Sequence, residues 1–156
     1  MIEIECVREF DLPADVVWEE VRHFDRVLNW VPRGDESTIS VTGEGVGMIR
    51  DIELATMGYV QHRLEMLDHE ARSFSYSLTG GKPLGMKEYV VVATVTPVDE
   101  GHCVLRWAGK MEADGSLDEQ ETGRALEMAL GNMSTGIAAV LKNEAPQFVE
   151  QLRVDY

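Results

Sequence analysis

The hydrophobic pattern of this chain changes its period once, near residue 116. From about residue 37 to residue 113, short segments of alternating apolar and polar side chains are separated by turn residues. This alternation is typical of half-buried strands, and the short connections favour an antiparallel meander of some six strands. Ser116 and Glu119 then form a capping-box motif that predicts the start of a helix. Behind it comes a stripe at helical spacing, which predicts the longest helix of the protein, through Leu126, Leu130, Met133, Ile137, Val140 and Leu141.

The first forty residues add one strand and two short helices to this order. Ile2, Ile4 and Cys6 alternate with acidic or exposed positions, as in a strand. Pro13 then opens an amphipathic stretch that ends near Phe24, and residues 26–30 predict a second short helix. The order predicts an α+β fold, because only the long C-terminal helix can cover the apolar face of the sheet. We therefore expect a curved antiparallel sheet of about seven strands wrapped around that helix, with two short helices after the first strand.

The charge of the chain argues against nucleic acid as a partner. It has 28 acidic and 14 basic residues, a formal net charge of −14, and no basic cluster. Phosphate backbones are bound mainly through Lys and Arg, so this surface would repel them. Hydrophobic residues make up 44% and charged residues 27%, which are ordinary values for a globular protein. We expect one folded domain over residues 1–156.

Other sequence signals concern location, metals and cofactors. The chain begins without the pattern of a signal peptide and has no run long enough to span a membrane. Cys6 and Cys103 are the only cysteines and are interpreted as reduced thiols, so we expect a cytoplasmic protein. We expect it to be a monomer or a homodimer. The histidines stand singly, which predicts no metal site. The glycines of residues 43–47 precede a strand rather than a helix, so they do not predict a nucleotide-binding loop, and no cofactor is expected.

Several short motifs occur in a fixed order along nearly the whole chain, namely Leu12–Trp18, Trp30, Gly45-x-Gly47-x-x-Arg50, Arg63–Asp68, Tyr76, Gly80-Gly81 and Leu105-x-Trp107. In this order they resemble the START and birch-pollen-allergen (SRPBCC) superfamily, the helix-grip fold of polyketide cyclases and dehydrases, lipid-transport proteins and abscisic-acid receptors. The resemblance implies a cavity between the concave face of the sheet and the long helix, and a small hydrophobic or amphipathic molecule as its occupant. Residues 63–83 are most similar to the receptor branch. The receptor gate sequence is absent from residues 55–58, so hormone binding is not implied.

Strand alternation indicates which side chains face the predicted cavity. On each strand we assign to the inside the set that carries the apolar residues. Together with positions on the long helix, these sets give the candidate ligand-binding residues, which are Arg50, Ile52, Leu54, His62, Leu64, Tyr76, Leu78, Tyr89, Val91, Trp107, Met128 and Asn132. The residues 55–58 and 80–86 are expected to form the mouth. Methionines, Met57, Met86 and Met133 among them, suit a pliable pocket or ordinary core filling.

Arg50 and His62 are the most informative members of this set. An arginine on an apolar face needs a partner, because an unpaired buried charge is costly. Arg50 therefore binds a ligand carboxylate, enolate or phenolate, or it forms an internal ion pair, or its head reaches water from the end of a strand. An inward His62 either binds a ligand hydroxyl, acts as a general acid or base, or is a satisfied core residue.

Three functions are compatible with these observations. The leading hypothesis is binding or transport of a small hydrophobic or amphipathic ligand in the cavity. The alternative is a polyketide cyclase/dehydrase-like enzyme, in which Arg50, His62 and a tyrosine orient a carbonyl compound and move protons. The third is a protein-interaction module without a ligand. No segment carries a recognisable catalytic motif, so the catalytic residues are not assigned.

Overall fold

A computed structural model describes residues 1–149; residues 150–156, the end of the predicted domain, lie outside the described part. The strands of this described part form one antiparallel sheet of seven, in the order β1-β7-β6-β5-β4-β3-β2. Their bounds are β1 Ile2–Phe10, β2 Thr38–Thr42, β3 Ile49–Leu54, β4 Gly58–Asp68, β5 Ser73–Gly80, β6 Met86–Asp99 and β7 His102–Ala113. Every neighbouring pair after β2 is joined by a short connection, as the sequence predicts.

Within residues 1–149, two α-helices and three short 3₁₀ helices accompany the sheet. Helix α1 spans Ala14–Val21, and helix α2 spans Glu119–Lys142. The 3₁₀ helices are Phe24–Asn29, Gly34–Glu36 and Pro83–Gly85. The sheet curves around α2, so the predicted α+β helix-grip fold is confirmed. Within residues 1–149, no helix has both the length and the apolar character needed to cross a membrane.

The concave face of the sheet carries the core, as the alternation predicts. In β7 the side chains of Cys103, Leu105, Trp107 and Met111 are buried, while Arg106 and Lys110 between them are exposed. The same alternation buries the inward sets of β3, β5 and β6, although Ser73 and Ser75 on the other face of β5 are buried as well. These apolar faces and the inner side of α2 form a single core.

The start of α2 differs from the prediction. The helix begins at Glu119, and its N-cap is Asp118, whose carboxylate accepts a hydrogen bond from the Gln120 amide over 3.2 Å. The predicted cap, Ser116, instead donates to the Asp114 carboxylate from both its amide and its hydroxyl. Asp and Ser are both good N-caps, and both occur just before this helix. The capping-box pattern therefore predicted the region in which the helix starts but named Ser116 as the N-cap instead of Asp118.

One glycine allows α2 to lie close to the first 3₁₀ helix. A Cβ atom at Gly136 would come within 1.9 Å of the Trp30 carbonyl oxygen, so no larger residue fits without moving one of the two elements. The contact holds the end of the 3₁₀ helix Phe24–Asn29 against α2. Phe24 at its other end therefore has a defined place beside the mouth of the sheet.

Candidate ligand-binding cavity

A cavity of about 60 Å³ lies between the concave face of the sheet and α2. Its walls come from β3, β4, β5, β6, α2, the first 3₁₀ helix and the two loops predicted to form the mouth. The lining residues are Val27, Val31, Pro32, Arg50, Ile52, Leu54, Thr56, Met57, Val60, His62, Tyr76, Pro83, Met86, Tyr89, Leu126, Ala129, Leu130 and Met133. Most of this wall is apolar, and Arg50, His62, Tyr76 and Tyr89 supply most of its polar groups, an arrangement typical of small-molecule sites.

Among the described residues of this lining, Arg50 alone carries a charged side chain, and it is only 1% exposed. It lies on the inward face of β3, directly opposite His62 of β4 in the antiparallel register. Its Nε–H donates to Nδ1 of His62 over 3.1 Å, and its Nη1 donates to the Phe24 carbonyl over 2.8 Å. The guanidinium carbon lies 3.8 Å from the centre of the Phe24 ring and 4.8 Å from that of Tyr76. These contacts fix the guanidinium in the wall of the cavity.

The charge of Arg50 has no carboxylate partner in residues 1–149. None of the ion pairs among these residues involves it. Burial lowers its pKa to about 10, with the neighbouring Tyr76 and Tyr89 opposing the shift. Arg50 is therefore still protonated at neutral pH. The described part of the chain shows neither of the structural alternatives, an internal ion pair or a head that reaches water.

His62 is held between Arg50 and Tyr89. Because a guanidinium is only a donor, Nδ1 of His62 must accept the Arg50 hydrogen bond and carry no proton. The single proton of the neutral ring then lies on Nε2, which makes a short hydrogen bond with the Tyr89 hydroxyl. Burial and the charge of Arg50 hold the pKa of His62 well below its usual value of 6.5. His62 is consequently neutral at physiological pH, with both ring nitrogens engaged.

The two tyrosines complete the polar side of the cavity. Tyr76 and Tyr89 lie on neighbouring strands with their rings at 82° to each other and their centres 6.4 Å apart. The ring of Tyr76 also packs against His62, at a centroid distance of 4.7 Å. Burial raises the pKa of both phenols, and that of Tyr89 is well above 10. Both hydroxyls are therefore neutral hydrogen-bonding groups at physiological pH.

A buried carboxylate holds the 3₁₀ helix that carries Phe24. Glu20, at the end of α1, accepts a hydrogen bond from the Trp30 indole over 2.9 Å and one from Arg26 over 3.1 Å. Glu20 is 8% exposed and Trp30 is 1% exposed. The bonds tie the middle of the 3₁₀ helix, at Arg26, and its C-terminal cap, Trp30, to α1. Because the Phe24 carbonyl and ring both contact Arg50, this link also sets the position of the guanidinium.

The cavity brings together some of the predicted site residues and leaves others outside. Those that line it are Arg50, Ile52, Leu54, His62, Tyr76 and Tyr89. The other predicted residues do not line it. Leu64, Leu78, Val91 and Trp107 are buried in the core, and Met128 is half-buried on α2. The Trp107 indole donates to the Ser134 hydroxyl over 2.8 Å instead of facing the cavity.

Asn132, another of the predicted site residues, is not among the lining of the cavity and bonds to the backbone after α2. It is 2% exposed, and its amide makes two hydrogen bonds of 2.9 Å with the backbone of Val149, one as donor and one as acceptor. The side chain therefore ties the segment after α2 back onto the helix. An amide with both ends engaged in this way has its best donor and acceptor directions already used.

Several lining residues were absent from the predicted set. Val60 lies on the same face of β4 as His62 and Leu64, so extending the alternation by one step would have predicted it as an inward residue. Met57, Met86 and Met133, with the two mouth loops, were anticipated as a group but not assigned to the site. Val27, Val31 and Pro32 carry no local signal, because only the packing of the first 3₁₀ helix brings them to the cavity. In the part of the chain that the structure describes, no three His, Cys, Asp or Glu side chains are placed to hold a metal ion.

Comparison with known proteins identifies one family and many similar structures. The model of the polyketide cyclase/dehydrase and lipid transport family matches residues 1–145. No protein with a curated functional description matches the sequence. An uncharacterised protein from Bacillus thuringiensis has a TM-score of 0.76 at 15% identity, covering 90% of this chain and 99% of its own. A protein from Thermobifida fusca has a TM-score of 0.72 at 23% identity, covering 96% of this chain and 100% of its own.

Some of the similar structures are complexes with small molecules. Norcoclaurine synthase from Thalictrum flavum, in complex with dopamine and hydroxybenzaldehyde, has a TM-score of 0.68 at 18% identity, covering 94% of this chain and 89% of its own. At identities this low, the likeness of these structures establishes the fold alone.

Proposed function

The chain belongs to the polyketide cyclase/dehydrase and lipid transport family, and from this premise we propose that it binds or transports a small hydrophobic or amphipathic molecule with an anionic oxygen group. The observation that carries the proposal is Arg50, a buried and protonated side chain in the cavity wall without a carboxylate partner in residues 1–149. We propose that the anionic group lies against Arg50 and that the rest of the molecule contacts the apolar wall.

The energetics of the buried charge support an anionic ligand. Burying a guanidinium away from water costs several kcal/mol, and its hydrogen bonds to neutral groups offset only part of this. Arg50 donates to a neutral imidazole and a carbonyl, so its positive charge is solvated but not neutralised. A ligand carboxylate, enolate or phenolate would supply the missing charge, and such groups suit the planar fork of arginine.

The size of the cavity implies that it expands when a ligand enters. Its volume of about 60 Å³ is several times smaller than the roughly 300–1,000 Å³ of typical ligand pockets. Met57, Met86 and Met133 in its wall are unbranched and adopt many rotamers at low cost. The walls also include the loop before β4 and the 3₁₀ helix Pro83–Gly85, which connect strands at the mouth. Movement of these side chains and loops is the route by which we expect the cavity to open.

The state of His62 favours binding over catalysis. A general base needs a free lone pair and a general acid needs a proton to release, ideally with a pKa near the working pH. Nδ1 of His62 is occupied by Arg50, and the pKa of the ring is well below 6.5. Tyr89 is too weak an acid to release its proton at neutral pH. These protonation states favour binding over the cyclase/dehydrase-like alternative, and the apolar cavity argues against a module without a ligand.

A thermal-shift screen tests the proposal. Wild type, Arg50→Leu and the control Arg63→Leu are melted with fatty acids, aromatic polyketides, sterols and phenolic acids. Arg63 is an exposed arginine next to His62 in sequence, paired with Glu65 outside the cavity. A ligand at about one hundred times its Kd adds about 2.7 kcal/mol to stability, or several degrees in Tm. We expect shifts with acidic ligands in wild type and Arg63→Leu that disappear in Arg50→Leu. Shifts that survive in Arg50→Leu, or none with any class, would contradict the proposal.

Location, assembly and further partners belong to the same proposal. We propose a cytoplasmic protein, monomeric or homodimeric, that uses no cofactor and binds no nucleic acid. The net charge of −14 supports the last point, because phosphate backbones need a basic surface. Sedimentation of the purified protein with and without duplex DNA at low salt measures both the assembly and the binding.

A further inference from the structure

We infer that Arg50 sets the direction of a hydrogen-bond chain through His62 to Tyr89, so that the cavity offers the Tyr89 hydroxyl as a donor to an acceptor oxygen of the ligand. This inference rests on the proposed function, and it deepens it by adding a second recognition group and narrowing the ligand class. The three residues come from adjacent strands β3, β4 and from β6, and all three line the cavity.

The direction of the chain begins at Arg50, which has donors and no acceptor. Its Nε–H lies 3.1 Å from Nδ1 of His62, and the two residues are cross-strand partners, so the backbone register itself maintains the contact. Nδ1 must accept this bond. A protonated Nδ1 would place two donors against each other beside a positive charge, so the neutral ring carries its proton on Nε2.

The second step follows from the first. Nε2 of His62 makes its hydrogen bond with the Tyr89 hydroxyl, and because Nε2 carries the proton, the phenolic oxygen is the acceptor. The hydroxyl proton of Tyr89 then points away from His62. A free tyrosine can act as donor or acceptor, but here the acceptor role toward His62 is fixed and the donor role remains for another group.

No other titratable group disturbs this arrangement within residues 1–149. The ionisable groups that face His62 are Arg50 from β3, Tyr76 from β5 and Tyr89 from β6. None of them is a carboxylate, so nothing stabilises a protonated imidazole. Arg50, His62 and Tyr89 are 1%, 7% and 7% exposed, so little water competes for their hydrogen bonds.

The hydrogen-bond chain from Arg50 to Tyr89 defines which chemical group the ligand must place beside these residues. An oxygen placed at Arg50 and Tyr89 would meet two donors, so carboxylate, enolate, phenolate and ketone oxygens are matched, the charged ones most strongly. An ammonium group would meet the like charge of Arg50. A ligand that binds only through its apolar body gains nothing from either residue. The Tyr89 hydroxyl is therefore a specificity-determining group for acceptor oxygens.

The tautomer of His62 is measured first, on the unliganded wild-type protein. Long-range ¹H–¹⁵N NMR spectra of the imidazole distinguish the two tautomers and the protonated ring, and His62→Asn identifies the resonance. We expect the Nε2–H tautomer alone at neutral pH, and a mixture of tautomers in Arg50→Leu. An Nδ1–H tautomer or a protonated His62 in wild type would overturn the chain, whatever the binding data show.

The donor role of Tyr89 is measured by calorimetry with decanoate and 2-naphthoate, and with naphthalene as the probe without oxygen. Tyr89→Phe keeps the ring and removes the hydroxyl; Tyr59→Phe is the control, because Tyr59 donates to Asp51 on the outer face. Hydrogen bonds to charged groups predict a loss of about tenfold to a hundredfold in carboxylate affinity for Tyr89→Phe. Tyr59→Phe and the affinity for naphthalene should not change.

The outcomes separate the two proposals. Carboxylates that bind wild type and Tyr89→Phe equally, but not Arg50→Leu, would overturn the role of Tyr89 and leave the proposed function standing. If neither carboxylate binds wild type, the proposed anionic ligand is wrong, and the proposed donor role of Tyr89 is wrong as well. The melting temperature of each variant without ligand shows whether it is folded.

Discussion

The Glu20 carboxylate and the Trp30 indole are joined by a hydrogen bond of 2.9 Å that is buried between α1 and the end of the first 3₁₀ helix. Ten residues separate them in sequence, and the chain between them carries Phe24, whose carbonyl accepts a hydrogen bond from Arg50. The bond therefore links helix α1, through the first 3₁₀ helix, to the guanidinium of Arg50 in the cavity wall.

Removing Glu20 tests this link. In Glu20→Leu the buried indole N–H of Trp30 loses its acceptor, which predicts a loss of about 1–3 kcal/mol in the free energy of unfolding. Chemical denaturation followed by tryptophan fluorescence measures it. The control is Glu19→Leu, which removes the adjacent but exposed carboxylate bound to Arg22 and should leave stability almost unchanged. Equal effects of the two substitutions would show that the bond to Trp30 has no special weight.

The neutral state of His62 predicts a pH dependence of stability. Its pKa is lowered in the native protein by burial and by Arg50, whereas in the unfolded chain it has the ordinary value near 6.5. Below pH 6.5 the unfolded chain binds a proton that the native state does not. Stability is therefore complete above pH 6.5 and falls as the pH falls, by at most about 1.4 kcal/mol per pH unit for one proton.

Urea unfolding between pH 7.5 and 5.5 measures this dependence, in a range where most carboxylates stay ionised. In His62→Asn the amide oxygen can still accept from Arg50, but the titrating group is gone, so the slope should become shallower. His102→Asn is the control, because it removes an exposed histidine that is bound to Asp99. An unchanged slope in His62→Asn would mean that His62 does not titrate differently in the two states.

Two glycines of α2 predict opposite effects of the same substitution. A Cβ at Gly136 would lie 1.9 Å from the Trp30 carbonyl oxygen, so Gly136→Ala should destabilise the protein by about 3 kcal/mol or more. At Gly131 the nearest atom to a Cβ is Sγ of Cys6, at an ordinary 3.7 Å. Gly131→Ala should therefore stabilise the helix by about 0.5–1 kcal/mol. Thermal unfolding of both variants checks the sign of each effect.

Shortening a methionine of the cavity wall should lower the stability of the protein and enlarge the cavity. Met86 is 2% exposed and lines the cavity, so Met86→Ala should lower the free energy of unfolding by about 2–5 kcal/mol. The space it leaves is lined by apolar groups, and cavities of this kind bind benzene. We expect benzene to raise the Tm of Met86→Ala more than that of wild type or of Met66→Ala, a half-buried methionine outside the lining. A similar response of Met66→Ala would show that the effect is not specific to the cavity.

The order of elements and the face on which each strand residue lies can be read from the amino-acid sequence. Both are local properties, since side chains alternate across a strand and repeat every 3.6 residues along a helix. Alternation alone therefore places Arg50, His62, Tyr76 and Tyr89 on the inside of the sheet. The family resemblance followed from the same ordered motifs, and the match to residues 1–145 supports it.

Which inward residues meet at the cavity, and what each one bonds to, follows from the packing of the folded chain. Val91 and Trp107 face inward as surely as Tyr89, but they lie where the core is closely packed. The chain from Arg50 through His62 depends on the register between β3 and β4, and the fixed guanidinium depends on a carbonyl of a distant 3₁₀ helix. Alternation encodes the face of a residue and carries no information on register or on how the helix crosses the sheet, because these depend on packing between distant segments.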